Sequence, residues 1–189
     1  MSTARQTHYL TPEEYLAMER ASEIRHQYFD GEVFAMSGAS RAHNLIVGNV
    51  SRAIGNQIVN RPCEVYQTDM RVKVSASGLY TYPDVAVVCG EPKFEDSFVD
   101  TLLSPLVLVE VLSASTEDYD RGRKFVQYRQ IDSLQEYVLI AQDRQHVERW
   151  SRSDGPWTLW ETDSVDAVVE LTSIDCRIDV SEIYAKVQF

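Results

Sequence analysis

Cysteine is scarce, and cations are outnumbered. The 189 residues hold three cysteines, Cys63, Cys89 and Cys176, an odd count with no C-x-x-C spacing. This argues against a disulfide framework or a zinc site and predicts three free thiols. Long apolar runs are missing too. Nothing in the sequence approaches the roughly 18 consecutive apolar residues of a membrane helix, and the opening "MSTARQTHYLTPEEY" lacks the charged-then-apolar order of a secretory leader. A cytoplasmic protein with no membrane association is expected. Eighteen Lys and Arg stand against 29 Asp and Glu, a formal charge of −11. Such a chain repels polyanions at long range unless its cations gather on one face. Tight, unaided DNA binding is therefore disfavoured, whereas a phosphate approached through a bound divalent cation is not, because the ion inverts the local field. No internal repeat, low-complexity tract or linker interrupts the chain. One domain over residues 1–189 is expected, with 44% hydrophobic residues to fill its core.

What is present divides into clear elements. Thr11 can cap a helix, Pro12 suits its first position, and Glu14 completes a T-x-x-E box, so a helix to about Ser22 is predicted. Asp30-Gly31 between alternating segments predicts a hairpin. Leu45, Ile46, Val50, Ile54 and Ile58 fall at helical spacing and predict a second helix. "CEVYQTDMRVKV" alternates as a single strand, while "PDVAVVC" and "PLVLVEVL" are continuously apolar and read as central strands. The connection 90–104 carries charges and no period. A helix over about Thr116 to Gln130 follows, then strands at "QEYVLIA", "HVERWSR" and "WTLWET", and a final strand and short helix. The order predicts an α/β or α+β domain built on a central mixed sheet flanked by helices.

One residue contradicts its surroundings. Glu110 lies near the end of the apolar run Leu106 to Leu112. A carboxylate in a buried strand must be paired, protonated or bound to metal, since stripping its water costs several kcal/mol. Asp84 opens the other apolar strand. If the two strands pair antiparallel, both carboxylates reach one end of the sheet, where their repulsion disappears once they share a hard divalent cation. In the next helix Asp120, Lys124, Gln127 and Tyr128 lie at i, i+4, i+7 and i+8, on one face, which brings a lysine beside the carboxylates. Each residue also has an ordinary explanation. Asp84 follows Pro83 and suits a turn, Glu110 could meet a buried arginine, Lys124 could pair with Asp120 on a solvated face, and Tyr128 could simply pack.

At these residues the chain resembles a known family. "YPDVAVVC" followed by "VEVLSASTEDYDRGRKFVQYRQIDSLQEYVLI", with "FDGEVFAMSGASRAHNLI" upstream, is similar to the Uma family of endonucleases, within the PD-(D/E)XK restriction-endonuclease-like superfamily. The similarity is strongest from about Leu10 to Ile140. It implies a restriction-endonuclease-like fold in which Asp84 and Glu110 hold Mg²⁺ (or Mn²⁺), the backbone carbonyl of Val111 adds a ligand, and Lys124 assists the attack of water on a phosphodiester. The superfamily's E-x-K would place lysine at position 112, where this chain has Leu112. A lysine migrated to the next helix matches Lys124. Relatives often carry glutamate where this chain has Gln27, and His43 matches a recurrent histidine. His43, Gln127 and Tyr128 are candidate substrate contacts.

These residues predict a metal-dependent endonuclease whose partner is nucleic acid, DNA before RNA or a branched substrate. A homodimer through the late apolar strands is expected. The competing expectation is a catalytically inactive nuclease-fold module that binds proteins or regulates, favoured by the acidic balance and the missing E-x-K lysine.

Overall fold

The first helix starts where its capping residues say it should. In the computed structural model, which describes residues 9–36 and 38–189, α1 spans Pro12–Ala21. The Thr11 amide donates to Glu14 Oε2 at 2.8 Å, and the Glu14 amide to Thr11 Oγ1 at 3.2 Å. Two orphan donors are thereby satisfied, which fixes the helix start. The leader reading of the N-terminus falls largely on residues 1–8, outside the described residues. Among the described residues no helix is long and apolar enough to cross a membrane.

Strand β1 (His26–Phe29) turns at Asp30-Gly31 into β2 (Glu32–Ala35), and both turn residues take positive φ, 49° and 84°. This is the hairpin geometry that the Asp-Gly pair encodes. A side chain at Gly31 would also meet Tyr9 Cδ1 at 2.6 Å, so glycine is required twice over. Helix α2 (Arg41–Ile58) follows. The stretch expected as a single strand is then two, β3 (Cys63–Gln67) and β4 (Arg71–Val74), separated where Thr68 takes φ 28°. They belong to different sheets. Apolar residues recur at alternate positions on both sides of the break, so periodicity alone cannot mark the change of sheet. The remaining elements are β5 (Leu79–Thr81), β6 (Val85–Cys89), β7 (Thr101–Leu102), β8 (Val107–Leu112), a helical segment over 117–128, β9 (Glu136–Ala141), β10 (Val147–Ser151), β11 (Thr158–Thr162), β12 (Val168–Leu171), β13 (Cys176–Asp179) and a closing helical turn, Val180–Ile183.

Six strands form the main sheet in the order β11-β10-β9-β8-β6-β3; β8 and β9 run parallel and every other neighbouring pair antiparallel. A second sheet, β2-β1-β5-β4-β7, stands beside it, and β12 pairs with β13. Residues of β8 alternate between two cores. Val107, Val109 and Val111 meet Ile46, Val50 and Ile54 of α2 on one face, whereas Leu108 and Leu112 meet Phe125, Tyr128 and Tyr137 on the other. A strand covered on both faces reads as the unbroken apolar run seen at positions 106–112. The expected α+β architecture with a central mixed sheet is the one observed. Trp150 and Trp157 pack around Phe125, tilted and edge-on, with ring centroids 4.9 and 5.4 Å away. Of the late strands on which the homodimer expectation rests, β11 is an edge strand with Leu159 exposed.

The expectation of three free thiols is corrected. Cys63 and Cys89 stand opposite one another in the β3–β6 register and form a disulfide, leaving Cys176 as the free, buried thiol. Spacing along the chain does not reveal this pairing, since it follows from antiparallel register. The bond closes a separation of 26 residues; loop closure of that size contributes about 3 kcal/mol. Cys63→Ser is therefore expected to lower the unfolding free energy by about that amount, and reductant to do the same to the wild type but not to the variant. Denaturant melts with and without reductant measure it, and three titratable thiols in unreduced protein would contradict it.

Candidate active site

The site grows out of the β6–β8 pairing. Val85 stands opposite Val109 in an antiparallel register, so Asp84, one step earlier, faces Glu110. Side chains directly opposite in such a pair project to the same face. The Asp84 backbone is held in place because its carbonyl accepts from the Thr68 amide at 3.1 Å. Its carboxylate Oδ2 accepts from the Val111 amide at 2.7 Å and lies 3.2 Å from His43 Nε2. His43 occupies the first turn of α2, where its amide donates to the capping Ser40 Oγ at 3.0 Å. The cap that starts the helix therefore also places the imidazole.

Glu110 is 4% exposed, Lys124 5% and Asp120 4%. Charges so deeply buried must answer one another. Lys124 Nζ lies 2.8 Å from Glu110 Oε1 and 3.2 Å from Asp120 Oδ1, and the Tyr128 hydroxyl donates to the same Glu110 oxygen at 2.8 Å. Burial pushes the Glu110 carboxyl up to about 8, with Lys124 opposing and the charges of Asp120 and Asp84 adding to the rise. Burial works against the Lys124 charge as well, but Glu110 and Asp120 outweigh it and hold the ammonium above its usual range. Burial, reinforced by Glu110, likewise keeps the Tyr128 phenol protonated.

The helix carrying these groups is irregular where they sit. Helix α3 (Glu117–Tyr119) widens into a π-turn over Asp120–Lys124 and resumes as α4 (Phe125–Tyr128). In an α-helix each step of four residues drifts by about 40° around the axis. The wider turn takes back that drift, so Asp120, Lys124 and Tyr128 line up toward Glu110. Such π-turns concentrate at functional sites.

Of the residues singled out from the sequence, Asp84, Glu110, Lys124 and His43 converge at one end of the main sheet. Val111 contributes its amide to Asp84; in a strand the N–H and C=O of one residue point to the same side, so its carbonyl is also directed past the start of β6. Tyr128 is fully buried and its hydroxyl serves Glu110, which corrects the expectation that it touches substrate. Gln127 does line the cleft, half-buried, but the π-turn separates it from the Asp120–Lys124 line, and its side chain meets Gln130 at 3.3 Å. Two partners were missed. Tyr119 bonds to Gln27, and the Thr81 hydroxyl donates to Gln27 Oε1 at 3.2 Å. Nothing in the local pattern around Tyr119 signals this, because the contact spans two sheets' worth of chain.

The group opens into a cleft of about 1420 Å³ bounded by the β1–β2 hairpin, the start of α2 and the helix over 117–128. Among the described residues, no protein hydrogen bond reaches Asp84 Oδ1 or Glu110 Oε2. Two carboxylate oxygens and a strand-end carbonyl make an all-oxygen donor set, the chemistry a small hard dication prefers. No group of three or more His, Cys, Asp or Glu side chains that could hold a metal occurs among the described residues. Mg²⁺ does not require one, since it is commonly held by one or two carboxylates together with substrate phosphate and water.

Glu110 gives this arrangement a pH signature. Its folded value of about 8 lies above the ordinary 4.5. Its contribution to stability is thus complete below pH 4.5 and is lost as pH rises through about 8. Metal-free protein is expected to melt at falling temperature across that window, and Glu110→Gln to flatten the slope. Parallel melting series in chelator decide it; equal slopes for the two proteins would contradict the assignment.

Comparison with known proteins identifies the family and the fold. The model of the Uma2 family, described as "Putative restriction endonuclease", matches residues 12–180. Among curated proteins, slr1290 of Synechocystis is 35% identical over 181 residues, covering 95% of this chain and 94% of its own; sll1609 of the same organism is 37% identical over 167 residues, covering 88% and 94%. Both bear the description "Uncharacterized protein". Among solved structures, a "putative nuclease belonging to DUF820" from Anabaena variabilis superposes with a TM-score of 0.77 at 18% identity, covering 95% of this chain and 99% of that one. The shared architecture is the restriction-endonuclease-like fold.

Proposed function

This chain belongs to the Uma2 family, described as "Putative restriction endonuclease", and from that premise we propose that it is a divalent-metal-dependent endonuclease hydrolysing phosphodiester bonds of DNA. The observation that carries the reading is the meeting of Asp84, Glu110 and Lys124, far apart in the chain, at one sheet end. Asp84 and Glu110 would hold Mg²⁺ or Mn²⁺ with the Val111 carbonyl. When bound, such an ion supplies Lewis acidity toward the phosphate and lowers the pKa of water.

The chain's own groups do the rest. Lys124 has three N–H donors; Glu110 and Asp120 engage two, and the third is left for the attacking water or the charge growing on phosphorus. Tyr128 fixes the Glu110 carboxylate from behind, and His43 and the Val111 amide fix Asp84. Glu110 would give up its proton on holding a cation. Water adds to phosphorus in line, the bond to the leaving oxygen breaks, and that oxygen takes a proton, giving a phosphate end and a hydroxyl end.

The missing lysine at position 112 does not count against this reading, because Lys124 fills the space beside Glu110 from the neighbouring helix. The test compares wild type with Asp84→Asn for calorimetric Mg²⁺ or Mn²⁺ binding and for nicking of plasmid and single-stranded DNA. A wild type that binds neither ion sinks the reading in favour of a catalytically inactive module.

A further inference from the structure

The wall of the cleft is chemically unlike a surface for duplex DNA. Of the large hydrophobic side chains left exposed, Ile24 (55%), Phe34 (49%), Met36 (39%) and Val126 (48%) all line this one cleft. Phe34 is directed there by the hairpin register. It stands opposite Gln27, so the two share a face, and Gln27 is bonded to Tyr119 within the cleft. Its neighbour Val33 points the other way and packs on the Tyr15–Tyr28–Tyr80 cluster. Nothing in the core accounts for Phe34.

The charge inventory points in the same direction. The lining holds six carboxylates against three cations, Arg25, Arg123 and Lys124. Lys124 is already flanked by Glu110 and Asp120, which leaves one N–H donor, and Arg25 is engaged by Asp69 at 3.1 Å. Arg123 has no carboxylate partner among the described residues. A duplex turns its phosphates outward at about one charge per 1.7 Å and hides its base faces, so it asks for cations and offers an apolar wall nothing. An unpaired strand offers a π-face at every base, and stacking of that kind tolerates any sequence.

We propose that the cleft takes nucleic acid as unpaired nucleotides, a single strand or the single-stranded arm of a junction, with bases against Phe34 and its apolar neighbours and a phosphate delivered to the Asp84–Glu110–Lys124 end. This rests on the nuclease reading and names its substrate class. With so few free cations, affinity comes from stacking and depends on salt only as one or two phosphate contacts would.

The experiment is fluorescence anisotropy in chelator with a fluorescein-labelled single-stranded oligonucleotide and a hairpin duplex of the same sequence, followed by cleavage of both in Mn²⁺. Wild type is expected to bind the single strand about tenfold more tightly than the duplex, Phe34→Ala to lose about tenfold of single-strand binding, and Phe34→Tyr to retain it. Circular dichroism confirms that the exposed substitution leaves the fold intact. Preference for the duplex, or single-strand binding unchanged in Phe34→Ala, overturns the proposal. Duplex cleaved equally well by wild type and Phe34→Ala would end this inference and leave the nuclease reading in place. Strand-selective binding lost in Phe34→Ala, with no cleavage of either DNA, would uphold the cleft's preference and end the nuclease reading.

Discussion

Asp84→Asn is expected to lower metal-dependent cleavage by about a thousandfold, since a catalytic cation contributes several kcal/mol and each 1.36 kcal/mol is a factor of ten. Asparagine keeps an oxygen for the Val111 amide, now 2.7 Å from Asp84 Oδ2, so the strand end should keep its shape. Only the charge is removed. In metal-free protein that loss is favourable, because the Asp84 charge adds to the strain on buried Glu110. The variant is thus expected to melt no lower than wild type in chelator, yet to gain little stability from added Mg²⁺, where wild type gains in proportion to the logarithm of ion concentration. Melting curves with and without ion, set beside a nicking assay, check both halves. A variant that still cuts at the wild-type rate would refute the role of Asp84.

Lys124→Met should fail in the opposite way. Methionine fills similar space but leaves Glu110 and Asp120 buried without their counter-charge. Breaking a buried pair by removing one partner costs about 3–5 kcal/mol, and here the damage should grow above about pH 8, where Glu110 loses its proton with no ammonium beside it. Cleavage should fall by about 100-fold to 1000-fold, the scale seen when one preorganised donor to a developing oxyanion is lost. Should Lys124→Met prove too unstable to assay, adding Asp120→Asn removes one stranded anion, leaves in place the Glu110 that would hold the ion, and is expected to restore stability. Recovered stability with no recovered cleavage is the outcome a catalytic lysine requires; cleavage restored in the double variant would show that Lys124 is only a structural counter-ion.

Much of this arrangement could be read from the chain because burial makes charge conspicuous. Glu110 interrupts an apolar run, Asp84 opens another, and the antiparallel pairing that places them face to face is the pairing their connection suggests. Thr11 and Glu14, or Asp30 and Gly31, state their geometry within four residues. What stayed hidden depends on register or on a third partner. The Cys63–Cys89 bond needs the β3–β6 alignment, the break at Thr68 needs knowledge that two sheets exist, and the service of Tyr128 to Glu110 needs the helix docked on β8. Asp120 and Lys124 at a spacing of four read equally well as an ordinary surface pair. Only their burial separates the two meanings.

The widened turn at Asp120–Lys124 bears on how length is inherited here. Were one residue lost between those positions, the segment would remain helical and its composition nearly unchanged, but the ammonium would swing by about 100° and point away from Glu110. Insertions and deletions in this short stretch should therefore be tolerated less than almost any substitution of its exposed residues, and counting from Glu110 to the helical lysine becomes as informative as identifying either residue.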